Sequence, residues 1–190
     1  AVGLPNDTSS DYFYTLSRNG GVSPLYFNST VTKLFKSNCS VAWQTHYQET
    51  GLNAKYYFSD SYANVLADSD YVYAAGKGTG IANWVLFNSN GSFKYQGSSL
   101  TIPSNMLVQD NSYLYTTYPG AASQTLVKLS KSNFSIVDSS YSGDISIYGG
   151  ALAFDGDTFY TAVSYLNDSM NSYLIQLTKS YPHNVIVDIG

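Results

Sequence analysis

The sequence predicts an all-β protein built from repeats of a four-stranded antiparallel meander. Three observations lead there. The composition is poor in helix formers, two anchor motifs recur in step along the chain, and short alternating strands are separated by turn residues. Only 12 % of the 190 residues are charged, against roughly 25 % in an average globular chain. Aromatics reach 16 %, with 19 tyrosines, whereas Glu49 is the sole glutamate and Arg18 the sole arginine. Glu and Arg favour helices, while Tyr, Thr, Val and Phe favour pleated, half-buried surfaces. A helical bundle or coiled coil is therefore excluded. The composition argues against disorder as well, because 44 % hydrophobic content with abundant Tyr and Phe can fill a core. A net charge of −4 gives no cationic footprint for nucleic acid. No apolar run is long enough to span a membrane as a helix.

The first anchor is an Asp-rich turn leading into an aromatic strand. It reads Ser10-Asp11-Tyr12-Phe13-Tyr14, Asp68-Ser69-Asp70-Tyr71-Val72-Tyr73, Asp110-Asn111-Ser112-Tyr113-Leu114-Tyr115 and Asp155-Gly156-Asp157-Thr158-Phe159-Tyr160. The second follows each of these as Leu34-Phe35-Lys36-Ser37-Asn38-Cys39-Ser40, Leu86-Phe87-Asn88-Ser89-Asn90-Gly91-Ser92 and Leu129-Ser130-Lys131-Ser132-Asn133-Phe134-Ser135. A degenerate fourth copy runs from Leu177 to His183. Tyr14, Tyr73, Tyr115 and Tyr160 lie 59, 42 and 45 residues apart, and Leu34, Leu86, Leu129 and Leu177 lie 52, 43 and 48 apart. Two anchors keeping step at that period mark a repeat architecture.

Each repeat resolves into four strands. In the last one Ala151–Phe154 leads, Thr158–Val163 follows the Asp turn, Asn171–Leu177 is third and Asn184–Ile189 is fourth. Gly76-Lys77-Gly78-Thr79-Gly80 lacks the spacing of a phosphate loop and reads as the hairpin between the second and third strands. In the first repeat Ala1–Asn6 is short and holds Pro5, so no convincing lead strand is expected. The expected organisation is one β-repeat domain over 1–190, with units at about 7–51, 62–99, 104–144 and 150–190. These repeats resemble β-propeller blades of the YVTN-like and quinoprotein-like classes, with their D-x-D-x-hydrophobic-Y strand and L-x-K-[ST] hairpin. The resemblance implies about four blades, the smallest propeller normally seen, with a β-sandwich or jelly roll as the alternative. It implies little about activity. The chain lacks the W-D dipeptide and has no kelch double glycine in each blade, and Trp43 and Trp84 occupy non-equivalent positions, so quinone and metal chemistry are not carried over.

Groups suited to catalysis are scarce. His46 and His183 have no metal-ligand spacing, no G-x-S-x-G elbow is present, and Cys39 reads as a small, partly buried turn residue. The pairs Asp68/Asp70 and Asp155/Asp157 are weak calcium candidates, because further acidic ligands and a closing Glu do not follow; they read better as turn caps. No cofactor is expected. Most tyrosines should fill the core, while exposed aromatics, Trp43 and Trp84 among them, could stack on sugars.

The sequon N-x-[ST] occurs at Asn6, Asn28, Asn38, Asn90, Asn133 and Asn167. Three of these, Asn38, Asn90 and Asn133, fall in the same hairpin turn of successive repeats. The leader-less start at Ala1 fits a mature exported chain. A surface of uncharged hydroxyls and amides changes protonation little with acid and resembles exported surface proteins of acid- or heat-loving archaea. These features favour a non-enzymatic, extracellular, N-glycosylated structural protein. It would associate with copies of itself through exposed terminal strands such as Val185–Ile189, as a subunit of a cell-surface filament or layer. The alternative is a carbohydrate-binding or adhesin module.

Overall fold

A computed structural model describes residues 2–3, 10–20, 26–50, 64–77, 82–99, 107–118, 124–142, 145–146, 152–165, 168–178 and 187–188. Seventeen strands and no helix occur among them. The chain divides into two compact units, Ala1–Asn105 and Met106–Gly190, each with two antiparallel sheets. The boundary falls between the second and third sequence repeats.

In the first unit one sheet runs β1 (Val2–Gly3), β2 (Tyr12–Gly20), β3 (Tyr26–Phe35) and β4 (Val41–Thr50). The other runs β5 (Asn64–Ala67), β6 (Tyr71–Lys77), β7 (Ala82–Asn88) and β8 (Phe93–Ser99). The second unit opens with β9 (Val108–Gln109), β10 (Tyr113–Tyr118), β11 (Gln124–Ser130) and β12 (Ile136–Ser142). Its second sheet holds β13 (Ile145–Ser146), β14 (Leu152–Phe154), β15 (Thr158–Tyr165), β16 (Asp168–Thr178) and β17 (Val187–Asp188). Here the lead edge is split, because β13 and β14 both pair with β15, opposite its end and its start. Three of the sheets are thus meanders of consecutive strands, and the fourth is one from β14 onward, with β13 added beside β15.

The first repeat does have a lead strand, contrary to the sequence expectation. Gly3 pairs with Tyr14, as Leu66 pairs with Tyr73, Val108 with Tyr115 and Ala153 with Tyr160. Two residues suffice, because the ladder is needed only beside the repeat tyrosine, ahead of Pro5. At the other end Val187 and Asp188 pair with Gln176 and Ile175, so the terminal strand is held on one side by β16. Gly76 and Lys77 lie in β6 and β7 resumes at Ala82, which leaves the expected hairpin over 78–81 outside the described residues.

Alternation along the strands builds a core between the two sheets of each unit. In the first, Tyr14, Leu16 and Val31 meet Val65, Ala67, Val72, Ala74, Val85 and Phe87. In the second, Tyr115 and Leu126 meet Leu152 and Phe159, with Tyr115 and Phe159 rings 4.8 Å apart. The two cores match position for position: the face bearing the repeat tyrosine of one sheet packs on the opposite face of the next. The lead strands also touch, β5 against β1 and β2, and β14 against β9. Side chains two residues apart share a strand face, so the apolar set at every second position is what brings each pair of sheets together.

Candidate functional site

Two turns recur in these sheets, and turn chemistry fixes both. The first precedes the second strand. The Asp68 carboxylate accepts the backbone N–H of Asp70 (3.0 Å) and Tyr71 (2.9 Å) through Oδ1, and the Tyr73 hydroxyl donates to its Oδ2 at 2.8 Å. Asp110 repeats the clamp with Ser112, Tyr113 and the Tyr115 hydroxyl, and Asp155 with Asp157, Thr158 and the Tyr160 hydroxyl. An Asp oxygen that captures N–H groups two and three residues ahead makes a tight turn, and its second oxygen anchors the outgoing strand. These hydrogen bonds hold the Asp155 carboxyl below its usual range. Burial, followed by the bond to the carboxylate, pushes the Tyr73 and Tyr115 hydroxyls upward. Tyr14, which has no Asp at the matching turn position, is pushed up to about 12 by burial, with Tyr12 and Asp68 adding to it.

The calcium candidates fall in these turns. Asp68 and Asp155 have both carboxylate oxygens engaged by the clamp, and Asp70 and Asp157 are exposed beside them. No group of three His, Cys, Asp or Glu side chains that could hold a metal occurs among the described residues.

The second recurring turn joins the third and fourth strands and carries the sequons. Asn38, Asn90 and Asn133 are exposed at its tip. Each accepts the backbone N–H of the sequon serine through Oδ1: Ser40 at 2.9 Å, Ser92 at 3.0 Å and Ser135 at 3.1 Å. The Ser92 hydroxyl also donates to Asn90 Oδ1 at 2.7 Å. Among the described residues each asparagine is held through Oδ1 alone, which leaves its amide nitrogen, the atom that a glycan would join, directed to no partner. The residue between Asn and Ser is left-handed in all three turns, with φ of 58° at Cys39, 84° at Gly91 and 58° at Phe134. The exposure of Cys39 corrects its reading as partly buried. At a left-handed turn tip its side chain is exposed, while the larger Phe134 ring turns inward and is buried. Asn28 lies within β3 rather than at a turn, and Asn6 and Asn167 lie outside the described residues.

Immediately past each sequon the outer strand begins with a bulge. Its first residue pairs with the third strand, its second is skipped, and pairing resumes at the third: Val41 then Trp43, Phe93 then Tyr95, Ile136 then Asp138. A bulge re-aims the side chains around it. Val41, Phe93, Ile136 and Val137 are consequently left 56, 52, 53 and 49 % exposed, and they are the large exposed apolar residues of the described chain. Sequence reading missed them, although a hydrophobic residue directly after N-x-S in three repeats was visible.

The aromatic candidates are occupied differently. Trp43 is half-buried: its indole N–H donates to the Ser89 carbonyl at 3.0 Å, its ring lies 6.0 Å from Tyr14, and it fills the space in front of Gly91. The side chain of Trp84 lies outside the described residues. Tyr12, Tyr71 and Tyr113 each carry a lysine ammonium over the ring, from Lys33, Lys94 and Lys128 at 3.8–3.9 Å. Lys94 reaches its ring from the outer strand, where the other two stand on the third. His46 is exposed, with Nδ1 3.0 Å from the Thr30 hydroxyl, and His183 lies outside the described residues.

Antiparallel meanders packed face to face within each unit, each with a short lead strand, fit a β-propeller type of fold. Comparison with solved structures agrees. A neuraminidase-like protein from A/bat/Guatemala/164/2009 aligns over 98 % of this chain with a TM-score of 0.54 and 9 % sequence identity. This chain spans 53 % of the length of that one, and at such identity the likeness shows the fold alone. No protein-family model matches the sequence, and no curated protein matches it.

Proposed function

We propose that this chain is a non-enzymatic, exported structural glycoprotein of propeller type, a subunit of a cell-surface filament or layer. The observation that carries the reading is the repeated sequon turn: an exposed Asn-x-Ser in each of three sheets, its amide nitrogen without a partner among the described residues. Glycans at these sites would guard the outer edges of their sheets. The fourth repeat has Lys179-Ser-Tyr-Pro-His183 in place of a sequon, so the terminal sheet with β17 at its edge is the one left open to a neighbouring copy. Sparse charge weakens repulsion between copies and suits acidic or hot surroundings of the kind that surface proteins of extremophilic archaea meet.

The neuraminidase-like neighbour raises a hydrolase reading, which a likeness at 9 % identity does not carry to this chain. Most glycoside hydrolases place a pair of carboxylates across the scissile bond, whereas sialidases use a tyrosine nucleophile, so scarce glutamate argues against the first kind alone. Glu49 is the single glutamate, and three of the aspartates are tied into turn clamps. An adhesin that stacks sugars on aromatic faces is the remaining alternative, and the half-buried Trp43 and the lysine-capped tyrosines give it little support. Intact mass and sedimentation of native material test the proposal. The expected result is a mass above the 20.8 kDa of the polypeptide and species larger than a monomer. An unmodified, strictly monomeric protein would overturn it.

A further inference from the structure

The exposed apolar residues and the sequons coincide, and each explains the other. Val41, Phe93 and Ile136 each stand three residues after a sequon asparagine, at the start of the outer strand. Three residues span at most about 11 Å of chain, and the turn between them is tight, so the apolar side chain lies within the span of the first sugars attached to that asparagine. The asparagine Oδ1 is tied to the serine N–H, which orients the side chain, and among the described residues the amide nitrogen has no partner. The platform is rigid as well. Phe93 meets the buried Phe87 edge-on, with ring centroids 6.4 Å apart, and keeps its remaining surface in solvent. Each half-exposed apolar side chain leaves apolar area in water, and a cover that removed this area would be favourable. The apolar C–H face of a pyranose supplies one, and it is delivered covalently at the right place in each of three sheets.

We propose that the N-linked glycans on Asn38, Asn90 and Asn133 pack their first sugar on Val41, Phe93 and Ile136 respectively. Each glycan then acts as a cap that seals the bulged start of an outer strand. The inference rests on the glycosylation in the proposed function and adds a contact to it.

The test uses the full chain made in two hosts, one that N-glycosylates and one that does not, with occupancy of the three sites established by glycopeptide mapping. The glycosylated form should melt about 2–4 °C higher, the shift expected from modest stabilisation of a chain this size. That increment should vanish in the variant Val41→Ser/Phe93→Ser/Ile136→Ser and shrink by part in Phe93→Ser alone. A measurement on the unmutated glycoprotein stands beside these in case a variant does not fold: nuclear Overhauser contacts between protons of the first sugar and the Phe93 ring. Occupied sites with no such contacts, or with an equal melting increment in the variants, would overturn the cap while leaving the glycoprotein reading intact. Unoccupied sites in native material would overturn both. Protection of these residues in assembled but sugar-free protein would assign them to a second copy instead.

Discussion

At the residue scale the sequon turns show one backbone conformation filled in three ways, and the consequences differ in sign. Gly91 sits at φ +84°, where a Cβ would come within 2.8 Å of the Trp43 ring carbons and 3.1 Å of the Thr45 hydroxyl. The Trp43 indole and the Thr45 hydroxyl already bond to the carbonyls of Ser89 and Gly91, across 46 residues of sequence, so the ring has no easy retreat. Gly91→Ala should therefore destabilise the chain by about 1–3 kcal/mol through backbone strain and overpacking. Cys39 holds the same left-handed conformation while exposed, and its side chain contributes no packing there. Cys39→Gly should stabilise by roughly 0.5–1 kcal/mol, since a left-handed L-residue costs about 1–2 kcal/mol and glycine gives back part of that as chain entropy. Phe134 is left-handed and 2 % exposed. Phe134→Gly relieves the backbone but empties a ring-sized site, and a net loss of about 2–3 kcal/mol is expected. Urea unfolding of the three variants, compared at constant m-value, checks all three signs.

At the element scale the Asp clamp ties each lead turn to the strand that follows. The clamps at Asp68 and Asp110 anchor the buried Tyr73 and Tyr115, whereas the clamp at Asp155 is exposed. Removing Asp110 leaves a buried phenol and two turn N–H groups without their charged acceptor. Asp110→Ala should cost about 2–3 kcal/mol, Tyr115→Phe less, and Asp155→Ala least of the three, as read from denaturant midpoints. The clamp was legible in advance, because Asp-x-Asp before an aromatic strand is local turn chemistry. The Tyr hydroxyl five residues on was not: its reach to Oδ2 depends on how the strand leaves the turn. The bulge was hidden for the same reason, since a skipped residue is a property of two paired strands and not of either sequence alone.

At the scale of the whole molecule the response to pH follows from tyrosines more than from carboxylates. Tyr14, Tyr73, Tyr115 and Tyr160 are all pushed above the ordinary phenol value of 10.0, the first two and Tyr115 mainly by burial and Tyr160 mainly by its bond to Asp155. A group whose proton is held more tightly in the folded state contributes stability that is complete below its unfolded pKa and is lost as pH rises through the folded one. The melting temperature should accordingly hold through neutral pH and fall between about pH 10 and 12. Tyr14→Phe should flatten part of that alkaline slope. Asp155 has the opposite sign: its contribution is present above the ordinary carboxylate range and is lost as pH falls below it. Its exposure keeps that acid loss small. A thermal scan against pH that fell as steeply on the acid side as on the alkaline side would contradict this.

The all-β class, the four repeats, the two turn types and the placement of three sequons at one turn were determined by the sequence itself. The turns and sequons rest on residues a few positions apart, where backbone sterics and side-chain-to-backbone hydrogen bonds act without help from the rest of the chain, and the repeats on the recurrence of those local patterns along the sequence. Only the tertiary structure decided the lead strand beside Tyr14, the embrace of Gly91 by Trp43, and which apolar residues stay in solvent. Those depend on register and on contacts between strands far apart in sequence, where a single skipped residue redirects a side chain from the core to the surface.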